Sequence, residues 1–260
     1  MSPIGVVRQR SRDPVLDDRL VSLLPSRAPE VEPYLGIRHV LEEAHRVGGV
    51  SVVAVSSPLA GDGKTTTAIN VAGVLAHGGD RILLIDADLR NPGLARHLLP
   101  PNEAPGLVDA IMEPSMTLKD VVVSLPHLPF EVLPAGRSTA RPYDVLRSPR
   151  FGALLEEARG RYSAIILDTP PLIRVPDGRI VARSVDGVLM VIAANRTPRK
   201  LVTESLRLID SAKLIGIVFN GDTERRLGYD LDAGASGLGL GGTWPGLLDR
   251  LLDTLRHWRR

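Results

Sequence analysis

The sequence predicts an α/β fold: a doubly wound, mainly parallel sheet with helices on both faces. Three observations predict it. Six short apolar runs recur along the chain, "VSVVAVSS", "RILLIDAD", "FEVLPAG", "SAIILDTPP", "DGVLMVIAA" and "KLIGIVFN". They are continuous rather than alternating, which is the pattern of strands covered on both faces. Helical segments separate them, and strand–helix alternation at this spacing builds parallel sheets. A glycine-rich stretch stands where the first strand should meet its helix, the place where open α/β sheets bind ligands.

The elements follow in order. "EPYLGIRHVLEEAHR" (32–46) predicts a helix with Tyr34, Ile37, Leu41 and Ala44 on one face. After Gly48 and Gly49 the strand–helix alternation begins and runs to the last apolar run. The predicted organisation is an extended lead-in over 1–31 rich in Arg, Pro, Ser and Asp, a core domain over 32–222, a glycine-rich linker over 223–243 and an amphipathic helix over 244–260. In that last helix Leu247, Leu248, Leu251, Leu252, Leu255 and Trp258 share a face, with Arg250, Arg256, Arg259 and Arg260 elsewhere. Such a helix can lie on an anionic membrane, dock on a partner or fold back on its own domain.

Composition narrows the function. The chain has 260 residues, 43% hydrophobic and 24% charged, ordinary values for a soluble globular protein. A net charge of +2 gives no argument for nucleic acid as a partner. With no cysteine, disulfide scaffolds, thiolate metal sites and thiol nucleophiles are excluded. The first residues lack the apolar core of a secretory signal, and no run approaches the ~18 apolar residues of a membrane span. A cytoplasmic chain is expected, able to sit at the inner face of the membrane through a partner.

The glycine-rich stretch is "SSPLAGDGKTTT" (56–67). It fits the phosphate-binding loop G-x-x-x-x-G-K-[ST] except that Pro58 replaces the first glycine. Pro58 lies at the start of the loop, away from the Gly61-Asp62-Gly63-Lys64 segment that approaches phosphate, so the substitution is tolerable. Gly61 and Gly63 let backbone amides turn toward phosphate oxygens, and the following helix N-terminus adds positive charge. Lys64 would reach the β- and γ-phosphates and Thr65 would ligate Mg²⁺. Asp62 and Thr66 complete the cofactor-binding set on the loop. The fold class is therefore that of the P-loop NTPases.

Two further strand ends carry carboxylates. In "ILLIDADLRNP", Asp86 and Asp88 stand two apart and point the same way from an extended strand end. Beside a triphosphate they can hold Mg²⁺ or accept a proton from an attacking hydroxyl. Arg90 either touches a phosphate or stays solvated. In "AIILDTPP", Asp168 after four apolar residues has the form of a Walker B carboxylate that orders Mg²⁺. Pro170 and Pro171 fix an extended turn where a γ-phosphate-sensing loop would lie, and Asp177 either belongs to that loop or caps the next helix.

Taken in order, "GDGKTTTAINVA", "RILLIDADLRNPGL", "EVLPAG", "LRSPRFGALLEEARGRYSAIILDTPPL", "VDGVLMVIAANRT" and "GIVFN" resemble the bacterial tyrosine kinases (BY-kinases) of capsule and exopolysaccharide synthesis. The resemblance runs from about Leu20 to Asn220. It implies a Walker A loop at Gly61–Thr66, a Walker A′ motif at Asp86–Arg90 and a Walker B motif at Ile165–Asp168. It implies ATP and Mg²⁺ as cofactors, Asp86 and Asp88 in metal binding and tyrosine activation, and Asn220 at the adenine. It also implies a homo-oligomer and a separate membrane-embedded activator of the polysaccharide chain-length and export type. The related ParA/MinD ATPases carry an extra lysine early in the loop, and that position here is Leu59. The BY-kinase ring helix E-x-x-R-x-x-R is matched by Glu32 and Arg38, but Leu35 stands in place of its first arginine. The family's tail tyrosine cluster is reduced to Tyr229, the one phosphoacceptor candidate beyond the core. A regulator that binds ATP without transferring phosphate, or a partitioning-type ATPase switch, are the alternative functions.

Overall fold

The computed structural model describes residues 19–23, 31–99, 104–139 and 141–221. Tyr229, the glycine-rich segment, the amphipathic tail and most of the lead-in lie outside the described residues.

The six apolar runs become six strands: β1 (Val52–Ser56), β2 (Ile82–Asp86), β4 (Glu131–Leu133), β5 (Ala164–Asp168), β6 (Gly187–Ala193) and β7 (Leu214–Asn220). They sit in a seven-stranded sheet of order β3-β4-β2-β5-β1-β6-β7. The seventh, β3 (Val123–Ser124), has two residues and pairs antiparallel with β4, while all other pairings are parallel. β1, β2 and β6 are buried at every position, as continuous apolar runs require. The doubly wound expectation holds.

Helices cover both faces. On one lie α1 (Glu32–Gly48), α2 (Lys64–Ala76) and α3 (Leu94–Leu98), which contribute Leu41, Ala44, Ile69, Leu94 and Leu98 to a core that includes Val53, Leu84 and Ile166. Tyr34 and Ile37 pack against the same core, so the face predicted for α1 is the face it buries. Part of the lead-in docks here too. Leu20 is fully buried, and the Asn70 side chain of α2 accepts the Ser22 amide at 3.0 Å and donates to the Arg19 carbonyl at 2.8 Å.

The opposite face carries α4 (Leu107–Met112), α5 (Leu118–Val121), α6 (Pro142–Arg147), α7 (Pro149–Arg159), α8 (Asp177–Ser184) and α9 (Arg199–Leu206). Phe151, Leu154, Val181 and Val202 from these helices meet Leu83, Ile165 and Met190 of the sheet. Two cores sandwiching one sheet hold the carboxyl ends of β1, β2 and β5 side by side. Cα partners across β2 and β5 place Asp86 opposite Asp168, and across β1 and β5 place Val55 opposite Asp168.

Candidate active site

The phosphate loop leaves β1 at Ser56 and enters α2 at Lys64, with Gly61 at φ 84° and Gly63 at φ 99°. Both glycines occupy the left-handed region that side chains resist. At Gly63 there is a second constraint, because a Cβ would collide with the Asn220 amide. That amide donates from Nδ2 to the Asp62 carbonyl at 3.0 Å, so the end of β7 touches the centre of the loop.

The Asp62 side chain turns inward and is 3% exposed. Its Oδ2 accepts the Leu59 amide at 2.9 Å and its Oδ1 accepts the Thr197 hydroxyl at 2.8 Å. The Ser57 hydroxyl donates to the Leu59 carbonyl at 2.6 Å. These bonds curve the start of the loop from within, which explains why Pro58 can stand where a glycine is usual. Thr197 closes the quoted stretch "VDGVLMVIAANRT", but its role had no signature in the sequence, since the bond that reveals it joins residues 135 apart.

Lys64 opens α2 and is buried to 7% exposure. The neighbouring Thr65 hydroxyl donates to Asp168 Oδ2 at 2.6 Å. Thr66 contributes its carbonyl to Asn70 Nδ2 at 3.0 Å.

The three predicted carboxylates converge. Asp86 is fully enclosed, accepting the Asp88 amide on Oδ1 at 3.2 Å and the Leu94 amide on Oδ2 at 3.0 Å. Burial first, and then the facing Asp168 charge, push its carboxyl well above the ordinary range. Asp88 is buried as well and accepts the Asn91 amide at 3.1 Å. Burial raises it, opposed by that amide and by the Lys64 charge. Burial likewise lifts Asp168 to about 7, against the Thr65 hydroxyl and Lys64. Three carboxyl groups thus share a dry pocket with one lysine, an arrangement that awaits added positive charge.

The residues fit Mg²⁺. Asp168 Oδ1 is buried and has no hydrogen-bond partner, while its other oxygen already engages Thr65. A buried orphan oxygen beside a hydroxyl is a ready pair of hard oxygen ligands. Among the described residues no cluster of three acidic or histidine side chains could hold a metal alone. Mg²⁺ takes one or two protein oxygens and fills the rest with phosphate and water.

Arg90 is exposed, as the solvated alternative has it, but it also has a partner that neither alternative foresaw. Its Nε and Nη2 donate to Asp177 Oδ2 and Oδ1 at 2.8 and 3.3 Å. Asp177 is the first residue of α8 and fully buried, so the pair ties the loop after β2 to the segment after β5.

Comparison with known proteins places the chain among relatives of the same fold. The AAA domain family matches residues 50–213. The tyrosine-protein kinase YwqD of Bacillus subtilis is 29% identical over 215 residues, covering 82% of this chain and 90% of that protein. Tyrosine-protein kinase CpsD of Streptococcus agalactiae serotype III is 31% identical over 173 residues, 65% of this chain and 73% of that protein. Other relatives are longer: the chain spans 28% of the Salmonella typhi tyrosine-protein kinase Wzc, at 31% identity. Among solved structures, the kinase domain of the Escherichia coli tyrosine kinase ETK superposes with a TM-score of 0.74 at 27% identity, covering 82% of this chain and 83% of that one. The Pyrococcus furiosus cell division ATPase MinD shares the fold at a TM-score of 0.56 and 19% identity, covering 72% of this chain and 79% of that one.

Proposed function

The chain belongs to the bacterial tyrosine-kinase family, and from that premise we propose that it transfers the γ-phosphoryl group of ATP to tyrosine in the control of exopolysaccharide or capsule synthesis and export. The observation that carries this reading is the Thr65–Asp168 contact at 2.6 Å, with Asp168 Oδ1 left unpartnered and Asp86 directly opposite. A loop that only imitated a phosphate site would have no need of a dry carboxylate cluster at the ends of two further strands.

Each residue has a part to perform. The amides of Gly61 to Thr65 cradle the phosphates, and Lys64 balances charge on the β- and γ-groups. Thr65 and Asp168 would hold Mg²⁺, with Asp86 beside them. When bound, the ion supplies charge neutralisation across the β- and γ-phosphates. Asp88 accepts the proton of the attacking tyrosine hydroxyl as its oxygen bonds to the γ-phosphorus and the bond to the bridging β,γ-oxygen breaks. Asn220 stands beside the loop at the end of β7, where it supports both the loop and the base. Tyr229 is the acceptor proposed on the tail. No helix among the described residues is long and apolar enough to cross a membrane. The proposed setting is the inner face of the cell membrane, as a homo-oligomer on an embedded polysaccharide-export protein.

A second reading has one specific support. With Tyr229 the only tyrosine beyond the core, an ATP-binding regulator without phosphoryl transfer would serve the same machinery. Phosphotyrosine formation separates the two. The full chain is incubated with Mg-ATP and the cytoplasmic segment of its activator, beside Lys64→Met and Tyr229→Phe. Signal lost in both variants is the expected result. No phosphotyrosine in the wild type despite measured ATP binding sinks the kinase reading in favour of the regulator.

A further inference from the structure

The turn from β6 to α9 carries Asn195, Arg196 and Thr197. Asn195 has φ 59°, the one left-handed non-glycine residue among those described. Such a conformation persists only where its surroundings hold it. Here the amides of Arg196 and Thr197 both donate to the Ala193 carbonyl, at 3.2 and 3.0 Å. The buried Thr197 hydroxyl accepts the Ala193 amide at 3.2 Å and donates to Asp62 at 2.8 Å. The turn is therefore fastened to the phosphate loop from below.

That fastening leaves Arg196 on the outer side, exposed, and directed over the loop. Its Nη2 lies 3.9 Å from the position a Cβ on Gly61 would take. None of the ion pairs among the described residues uses Arg196. The carboxylate nearest in the chain of contacts, Asp62, has both oxygens engaged inside the loop and does not compete for it. A guanidinium held beside a cradle of backbone amides is a planar, permanently charged donor suited to phosphate oxygens.

We propose that Arg196 is a nucleotide-binding residue, donating to the diphosphate part of a nucleoside di- or triphosphate seated against Gly61. The inference rests on the nucleotide reading given above and adds a ligand that no phosphate-loop motif contains. Because the diphosphate is common to ADP and ATP, the contact strengthens both alike. It also brings a salt-sensitive component to binding, since Arg196 works from the solvent side.

The test is calorimetric titration of the full chain with Mg-ADP and Mg-ATP, for the wild type, Arg196→Ala and Arg196→Lys, at low and moderate salt. Arg196→Ala is expected to weaken ADP and ATP equally, on the order of tenfold at low salt, and less as salt rises. Arg196→Lys is expected to retain part of the affinity. The melting temperature without nucleotide should match the wild type, because the side chain makes no contact that folding needs. Wild-type affinity for ADP in Arg196→Ala overturns the assignment, and so does a loss confined to ATP, which would place the guanidinium at the γ-phosphate instead. A wild-type chain that binds neither nucleotide overturns the proposed function itself, so the two failures are distinguishable.

Discussion

Arg90 and Asp177 form a two-pronged ion pair, at 2.8 and 3.3 Å, with the aspartate fully buried and the arginine side chain 44% exposed. The asymmetry sets the consequences of breaking it. Removing Arg90 strands a buried carboxylate, whereas removing Asp177 releases an arginine that can rotate into water. Arg90→Ala should therefore destabilise the fold by about 3 kcal/mol, and Asp177→Asn by about half of that. The double variant Arg90→Met/Asp177→Leu should recover much of the loss. Urea unfolding midpoints of the three variants check the order; Arg90→Ala as stable as the wild type would show that the pair has no structural weight.

The carboxylate cluster predicts an unusual pH dependence. Burial raises Asp168 to about 7 and holds Asp86 well above its ordinary value. A raised carboxyl binds its proton more tightly in the folded than in the unfolded chain. The stability contributed by Asp168 is thus greatest at acid pH and falls as pH rises from about 4 to about 7, and the raised Asp86 acts in the same direction. Without nucleotide, Asp168→Asn should raise the melting temperature at pH 7.5 and change it little at pH 5. The comparison of wild type and variant across pH reports Asp168 together with its effect on the facing Asp86, whose carboxyl the Asp168 charge raises. A difference that stays flat with pH would mean Asp168 is not held protonated.

The sheet and most of the site were legible in the sequence for the same reason. Strands covered on both faces leave continuous apolar runs, and ligand sites of such sheets lie at the strand ends, so Lys64, Asp86 and Asp168 could be located from spacing alone. The short β3 was not legible, because Val123 and Ser124 are half-buried and exposed and carry no periodicity. The partners of Arg90 and Asp62 escaped detection for another reason. Asp177 lies 87 residues from Arg90 and Thr197 lies 135 from Asp62, and a pairing at that range has no signature until the chain folds. The motif identified Asp62 as part of a phosphate loop but could not say that its carboxylate faces away from the phosphate side.

That inward carboxylate makes Asp62 a structural brace. Asp62→Ala leaves the half-buried Leu59 amide and the buried Thr197 hydroxyl without their acceptor, at a cost of roughly 2 kcal/mol. Thr197→Val removes only the hydroxyl and should cost about 1 kcal/mol while keeping shape. Both should weaken nucleotide binding through the loop rather than through a lost ligand. Crystallography of Thr197→Val is the direct check. An undisturbed loop with undiminished nucleotide affinity would show that the brace is dispensable.

Metal dependence follows from Asp168 Oδ1. Mg²⁺ with nucleotide relieves the repulsion of Asp86, Asp88 and Asp168 and satisfies the orphan oxygen, so the ligand should stabilise the fold well beyond what nucleotide alone achieves. Mg-ADP at a hundred times its dissociation constant is expected to add about 2.7 kcal/mol. EDTA should abolish most of that gain in the wild type. Thr65→Val removes the hydroxyl that pairs with Asp168 at 2.6 Å, and should reduce the Mg²⁺-dependent share while leaving metal-free ADP binding close to the wild type. Thermal shifts with ADP alone, Mg-ADP and EDTA separate the two components for each protein. If Mg²⁺ adds nothing to the ADP shift of the wild type, the Thr65–Asp168 pair is not a metal site, and the orphan oxygen serves another purpose.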